Sequence, residues 1–466
     1  MPFRNKKVLV LGAGVSGIAV AHVLQVNGAQ VTLSDAKSAQ LLASKNVLTR
    51  KEFDQISECG IVMALGRQDE ELLEAIEYIV VSPGISIFIP LIKAAKARGI
   101  TVMSEIEVAY KLCNVPILAI TGTNGKTTTT TLLGEMVKTI HHNVVVGGNI
   151  GLALSQEVAQ MGNSGIVVAE ISSFQLEGMI DFRPHIAAIL NITPDHLDRH
   201  HSMENYIAMK ERIFANQTND DYLVLNYDDD IVRDMSNRVL SKVFFFSRQI
   251  ELLSGIFVKD GIITIKWDGK TLAVCPIAYI QLRGGHNVEN ILAACGIAFL
   301  AGVKLTDMVQ TIQAFTGVEH RIERVATINN VVYYNDSKAT NPESSIKALE
   351  AFSGNIILIA GGRDKNTDLT SFMKLIKEKV DHLILIGEAT ERFSMVAIEH
   401  GVNNIHSTGS LADAVSLAHQ LAESLQVVLL SPACASYDMF NSYEERGKIF
   451  KKLVSDLEKR NCCLSQ

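Results

Sequence analysis

Apolar residues along this chain come in short unbroken runs that stop at a glycine, a proline or a polar residue. The runs begin at 7, 30, 78, 115, 143, 165, 185, 222, 243, 331, 356, 383 and 427, and their length and β-branched content are those of strands. Continuous rather than alternating hydrophobicity is what a sheet covered on both faces demands. Helical spacing fills gaps between them, as in Ile18, Val20, Ala21, Val23 and Leu24, in Leu132, Leu133, Met136 and Val137, and over 91–98, 203–214 and 291–300. Strand followed by helix, repeated, predicts an α/β fold, and the alternation from 331 to 430 predicts a doubly wound domain.

Two of the runs end in glycine loops, where the pattern acquires chemistry. After 115–120 comes Thr121-Gly-Thr-Asn-Gly-Lys-Thr-Thr128. Gly122 and Gly125 let backbone N–H groups turn inward, and the N-terminus of the following helix favours negative charge. Lys126 can reach terminal phosphates and Thr127 offers a hydroxyl to Mg²⁺, so the stretch predicts an ATP site. Only Thr123 and Asn124 separate the two glycines, where the usual phosphate loop has four residues.

The other loop carries Gly12, Gly14 and Gly17, and Asp35 ends the next run. That spacing fits a diphosphate at a helix N-terminus with a carboxylate for a ribose or base. A nicotinamide dinucleotide and a UDP-sugar satisfy it equally. Ser82, Pro83 and Gly84 break the run from 78 and either line the same cleft or form a plain turn.

Farther on, the run from 143 closes on Asn149, which can return towards the phosphates, and the run from 165 delivers Glu170 to a sheet edge as a candidate Mg²⁺ ligand. Thr193-Pro-Asp-His-Leu-Asp-Arg-His-His201 holds three histidines. His196 is the functional candidate, His200 and His201 are expected at the surface, and the spacing is not that of a dedicated zinc site. Lys210 stands beside Glu211 and Arg212 and reads as a solvated helix face. Asn287 and Asn290 open a helix, where asparagines commonly cap.

With 466 residues and 47% apolar composition the chain is long enough for about three domains. A net charge of −7 without a dense basic run argues against a nucleic-acid groove. Nothing resembles a leader peptide or a bilayer-spanning segment, which predicts a cytoplasmic protein. The seven cysteines show no ligand spacing, and Cys462 and Cys463 are expected to be reduced surface thiols.

GTNGKT at 122–127, DHLDRH at 195–200 and NDSKATN at 335–341 together resemble the Mur ligase family, whose relative is folylpolyglutamate synthetase. The resemblance runs through the whole chain. It implies a Rossmann-like N-terminal domain (1–113) for a UDP-sugar, a P-loop ATPase-like central domain (114–316) and a doubly wound Rossmann-like C-terminal domain (317–466) for an amino acid. It implies amide-bond formation through an acyl phosphate, with Lys126, Glu170, His196 and Lys210 as catalytic residues. ATP would be held by Gly122, Thr123, Asn124, Gly125, Lys126, Thr127, Thr128, Asn287, Asn290, Arg321 and Asp336. Two Mg²⁺ ions are implied, on Thr127, Glu170, His196 and Lys210, the last carboxylated by CO₂.

For the UDP-sugar the resemblance implies Gly14, Val15, Ser16, Asp35, Ser82, Pro83, Gly84, Asn149, Ser172 and His196. NDSKATN and the stretch from 430 to 447 are similar to the D-glutamate-adding members, which implies UDP-N-acetylmuramoyl-L-alanine and D-glutamate as substrates. Thr340, Lys365, Ser436 and Tyr443 would hold D-glutamate; the family often has Phe at Tyr443, so an aromatic wall is kept and a hydroxyl added. A monomer is expected. The alternatives are a related ligase with another acceptor, a dehydrogenase using the first glycine loop, and a nucleotide-gated interaction protein; Cys434, with no adjacent base, is not expected to act as a nucleophile.

Overall fold

Every apolar run is a strand in the structure, a computed structural model that describes residues 2–44, 50–364 and 366–464. Lys365 and the side chains of Cys462 and Cys463 lie outside the described residues. Among the described residues the strands form three sheets.

The first sheet contains β1 (Lys7–Leu11), β2 (Gln30–Asp35), β3 (Val62–Leu65), β4 (Tyr78–Val81) and β5 (Thr101–Ser104) in the order β3-β2-β1-β4-β5, all parallel. Val8 and Val10 face one core, with Val20, Ala21 and Leu24 of helix Val15–Val26. Leu9 and Leu11 face another, with Leu91, Ile92 and Ala95 of helix Pro90–Ala97. Helices on both faces explain why the strand reads as an unbroken apolar run.

The second sheet runs through β6 (Ile117–Thr121), β7 (Val144–Gly148), β8 (Ile166–Glu170), β9 (Ile186–Ile189), β10 (Tyr222–Asn226), β11 (Lys242–Ser247), β12 (Gly255–Lys259), β13 (Ile262–Trp267) and β14 (Lys270–Pro276). Its order is β14-β13-β12-β11-β10-β9-β6-β8-β7, and only the pairs among β12, β13 and β14 are antiparallel. All five residues of β6 are buried, at about 1.5–3 kcal/mol for each large aliphatic side chain. In this order β6 lies between strands that follow it on either side, the switch point at which α/β sheets bind ligands beyond the carboxyl ends of their strands.

The third sheet holds β15 (Glu323–Ile328), β16 (Val331–Asn335), β17 (Ile356–Gly361), β18 (Val380–Ile386), β19 (Ile405–Ser407) and β20 (Val427–Leu430), ordered β15-β16-β20-β17-β18-β19 with β15 alone antiparallel. Apolar cores line both of its faces, as a doubly wound domain requires.

Contacts divide the chain into one unit of Met1–Tyr279 with Glu289–Ala314, and a second of Ile280–Val288 with Phe315–Gln466. Inside the first unit the two sheets are tied by a buried carboxylate: Glu107, on helix Glu105–Leu112, accepts from the N–H groups of Ile180, Asp181 and Phe182 at 2.9, 3.0 and 3.1 Å. Among the described residues no helix is long and apolar enough to cross a membrane.

Candidate active site

The loop after β6 is held open by two glycine conformations. Gly122 has φ +151° and Gly125 has φ +84°, and a Cβ on Gly125 would lie 2.1 Å from Asn290 Oδ1. An L side chain there is both strained and blocked. Asn191, just past β9, clamps the loop from the neighbouring strand: its Oδ1 accepts from Asn124 N–H at 2.8 Å and its Nδ2 donates to Asn124 O at 3.1 Å. Thr123 Oγ1 donates to Thr193 O at 3.1 Å and lies 3.2 Å from Tyr206 Oη.

Helix Lys126–Val137 starts directly on this loop, so its first N–H groups and its dipole point at whatever the loop cradles. Lys126 Nζ folds back onto Gly122 O (2.8 Å) and Thr123 O (2.7 Å). A cation resting on carbonyls at the mouth of an anion cradle can exchange them for phosphate oxygens.

Glu170 ends β8, where the register pairs it with Ile120 of β6. It is 1% exposed; Oε1 accepts from Asn149 Nδ2 at 2.8 Å, and among the described residues Oε2 has no hydrogen-bond partner. A buried, unpaired carboxylate oxygen is costly on its own and is the donor that a hard divalent cation takes. Asn149, just past β7, is thus hydrogen-bonded to Glu170 at the end of the neighbouring β8.

Lys210 corrects the sequence expectation of a solvated face. Helix Met203–Glu211 turns Tyr206 and Lys210, four residues apart, inward on one side, and Lys210 is 1% exposed. Its Nζ donates to Gly122 O at 2.8 Å, the carbonyl that Lys126 also uses, and lies 4.7 Å from the centre of the Tyr206 ring. Burial, and then the charge of Lys126, push the Lys210 amine well below the usual lysine range. The neutral amine is a nucleophile.

His196 is the left-handed N-cap (φ +54°) of the short helix Leu197–His200, with its ring 4.7 Å from Phe174. His200 is not at the surface as expected: Phe174 stacks on it, and Nε2 lies 3.0 Å from Ser173 Oγ. His201 is exposed. Ser172 uses its hydroxyl in a capping box with Gln175.

On the first sheet, the glycines divide by role. A Cβ on Gly17 would lie 1.8 Å from Gly12 O, and one on Gly12 would lie 2.9 Å from Ser82 Oγ, whereas at Gly14 and Gly84 it would meet nothing within 4 Å. Gly12 and Gly17 are packing glycines; Gly14 and Gly84 border open space beside Val15, which is 77% exposed, and the partly exposed Ser16. Asp35 accepts from Ala13 N–H (2.9 Å) and Lys37 N–H (2.8 Å), fixing the loop after β1.

The remaining candidates belong to the second unit. Asp336 follows β16, is 1% exposed, and accepts from Ser431 Oγ (2.7 Å) and Ile322 N–H (3.2 Å); burial raises its pKa to about 6, against the pull of Arg321. Asn287 Nδ2 donates to Arg283 O at 2.7 Å. Thr340 is half-buried, Ser436 is 2% exposed, and Tyr443 opens helix Tyr443–Leu464 with Lys338 Nζ 5.3 Å from its ring centre. Cys434 is buried, its thiol pushed up to about 12, as suits an inert side chain.

Three neighbours of the candidate residues are not among those the sequence points to. Asn191 and Tyr206 shape the loop, and Arg446, 1% exposed, binds Ser337 Oγ (3.0 Å), Ser337 O (2.8 Å) and Cys434 O (3.2 Å), joining the two stretches assigned to the amino acid. Asn191 carried a usable signal, a polar residue ending a buried run.

Residues 120–298 match a profile described as the Mur ligase middle domain, residues 320–434 one described as Mur ligase, glutamate ligase domain, and residues 6–104 one described as Mur ligase MurD-like, N-terminal domain. A UDP-N-acetylmuramoylalanine–D-glutamate ligase of Caldanaerobacter subterraneus subsp. tengcongensis is 45% identical over 461 residues, covering 98% of this chain and 100% of that protein. One of the same description from Geotalea daltonii is 44% identical over 465 residues, 99% of this chain and 100% of that one. Among solved structures, the UDP-N-acetylmuramate-alanine ligase MurC of Thermotoga maritima is similar at TM-score 0.60 and 18% identity, covering 97% of this chain and 99% of that one. A pseudomurein peptide ligase type C of Methanothermus fervidus gives 0.59 and 19%, covering 97% and 100%.

Proposed function

The chain belongs to the Mur ligase family, and we propose that it joins D-glutamate to the alanine carboxylate of UDP-N-acetylmuramoyl-L-alanine, converting ATP to ADP and phosphate in peptidoglycan precursor synthesis. The observation that carries this reading is similarity at 45% identity along the whole of a D-glutamate ligase, C-terminal domain included. The phosphate loop with Lys126, Glu170 and Lys210 around it supports the chemistry.

A carboxylate is a poor electrophile, so it is first activated. An alanine carboxylate oxygen attacks the γ-phosphorus, ADP leaves, and an acyl phosphate forms. The amine of D-glutamate then attacks the carbonyl carbon, and the tetrahedral adduct expels phosphate and loses a proton. Lys126 would move from the Gly122 and Thr123 carbonyls onto the phosphoryl oxygens, countering charge as it develops.

The unpaired Glu170 Oε2 fits a magnesium ligand, with Thr127 and His196 as further candidates. Bound Mg²⁺ would neutralise charge on the phosphoryl oxygens. Lys210 in its neutral form would add CO₂: the nitrogen lone pair bonds to carbon, a proton leaves, and the resulting carbamate presents oxygens suited to a second ion. UDP-sugar contacts would come from Gly14, Val15, Ser16, Asp35, Ser82, Pro83, Gly84, Asn149 and Ser172, and D-glutamate contacts from Thr340, Lys365, Ser436 and Tyr443. The enzyme would act as a cytoplasmic monomer with a UDP-sugar domain (1–113), an ATP domain (114–316) and an amino-acid domain (317–466).

The test is phosphate release from ATP with UDP-N-acetylmuramoyl-L-alanine and, in turn, D-glutamate, L-glutamate, meso-diaminopimelate or no amino acid. Release confined to D-glutamate is expected. Release with a different amino acid would overturn the acceptor, and release without either substrate would overturn the ligase.

A further inference from the structure

Arg199 lies three residues after His196, yet its guanidinium reaches across the first unit to the first sheet. NH1 donates to Pro83 O at 3.0 Å, and NH2 donates to Ile85 O at 2.9 Å. Nε and NH2 also grip Glu177 through both carboxylate oxygens, at 3.0 and 2.7 Å, and the group lies 4.3 Å from the centre of the Phe174 ring. The Arg199 side chain is 15% exposed and that of Glu177 3%, so this is a planar fork with fixed partners rather than a surface ion pair.

The turn it holds is the one after β4. Ser82 Oγ donates to Gly12 O at 3.3 Å, Ile85 N–H donates to Ser82 O at 2.9 Å, and Gly84 borders open space. The described peptides are all trans, so fixing the Pro83 carbonyl towards Arg199 aims the Gly84 N–H the opposite way. At the other end, Phe174 touches Arg199, His196 and His200 together. One side chain therefore couples the turn on the sugar-nucleotide cleft to the helix of the phosphoryl-transfer site.

We propose that Arg199 is a positioning residue that locks the turn at 82–85 to the His196 helix, and so sets where the UDP-sugar's carboxylate lies relative to the phosphate loop. This rests on the reading of the first sheet as the UDP-sugar site. Glu177 holds the guanidinium through both carboxylate oxygens, and the Phe174 ring that packs on the two histidines also lies against it.

The experiment is steady-state kinetics on the full-length enzyme, varying each of the three substrates for Arg199→Ala, Arg199→Lys and Glu177→Gln. Misplacing a reacting group by about 1 Å costs on the order of 100-fold. Arg199→Ala is expected to lose about that much in kcat/KM for the UDP-sugar, part of it as a raised KM for that substrate, with KM for ATP and D-glutamate nearly unchanged. Arg199→Lys, which keeps the cation but not the fork, should lie between it and wild type, as should Glu177→Gln. Added guanidinium should restore part of the Arg199→Ala rate.

Wild-type kinetics in Arg199→Ala would overturn the proposal, as would a fall in kcat with the KM for the UDP-sugar unchanged and no guanidinium rescue, the pattern of fewer folded molecules. Should Arg199→Ala not fold, the same split in Arg199→Lys decides. A wild-type enzyme that does not turn over the UDP-sugar would remove the cleft assignment and the proposal with it, which separates that failure from a defect confined to the variants.

Discussion

Glu170→Gln should change stability and activity in opposite directions. The carboxylate is buried with one oxygen held by Asn149 and the other unpaired. An unsatisfied buried polar group costs roughly 1–3 kcal/mol, and more when charged. Glutamine keeps the oxygen that accepts from Asn149 and exchanges an unpaired charge for an unpaired amide, so without Mg²⁺ and nucleotide the variant should gain about 1 kcal/mol. That corresponds to a rise in melting temperature of about 2–4 °C for a cooperative unit of a few hundred residues. Turnover should meanwhile fall by roughly 10²–10³, the usual loss when an electrostatic group facing the transition state is removed. Calorimetry with and without Mg²⁺ and a non-hydrolysable nucleotide reads both effects. At about 100 times Kd the ligand adds about 2.7 kcal/mol to wild type and should add much less to the variant. A variant that melts below wild type without ligand, or that retains wild-type turnover, would refute the assignment of Glu170 as a metal ligand.

Lys126→Ala should lower kcat by about 10²–10³ in a single-turnover assay while leaving the melting temperature nearly unchanged, since the ammonium rests on carbonyls of its own loop. Lys210→Ala should be inactive and regain part of its rate with millimolar acetate or formate, and wild type in labelled bicarbonate should show a carbamate carbon by NMR that the variant lacks. For Asp336, burial raises the pKa to about 6, so lowering the pH through that value converts the carboxylate to the neutral acid. If the ionised form serves ATP, kcat/KM for ATP should drop about tenfold per pH unit below roughly 6, and Asp336→Asn should be slow without that acid limb.

The parallel sheets were legible because a strand buried on both faces writes itself as an unbroken apolar run, and the two glycine loops because their spacing has few other uses. The antiparallel edge was also written, though less loudly. Asp260-Gly261 and Asp268-Gly269 have φ of +50°, +74°, +49° and +72°, and they pair Lys259 with Ile262 and Trp267 with Lys270 as two-residue hairpins. Charges adjacent in sequence say nothing about which face of a helix Lys210 occupies, so only the family resemblance marks it; its inward pairing with Tyr206 is set by tertiary packing. The burial of His200 is likewise fixed from outside its own segment, by Phe174 and Ser173 of a separate helix. Arg199 carried no signal at all, because its partners Pro83 and Ile85 are backbone carbonyls more than a hundred positions away.

The most direct measurement of the central claim labels both carboxylate oxygens of UDP-N-acetylmuramoyl-L-alanine with oxygen-18 and follows them by mass spectrometry through turnover with ATP and D-glutamate. An acyl phosphate route carries one labelled oxygen into the released phosphate and leaves the other in the new amide. Phosphate released without label would mean that water, not the carboxylate, took the phosphoryl group, and the ligase mechanism would fall.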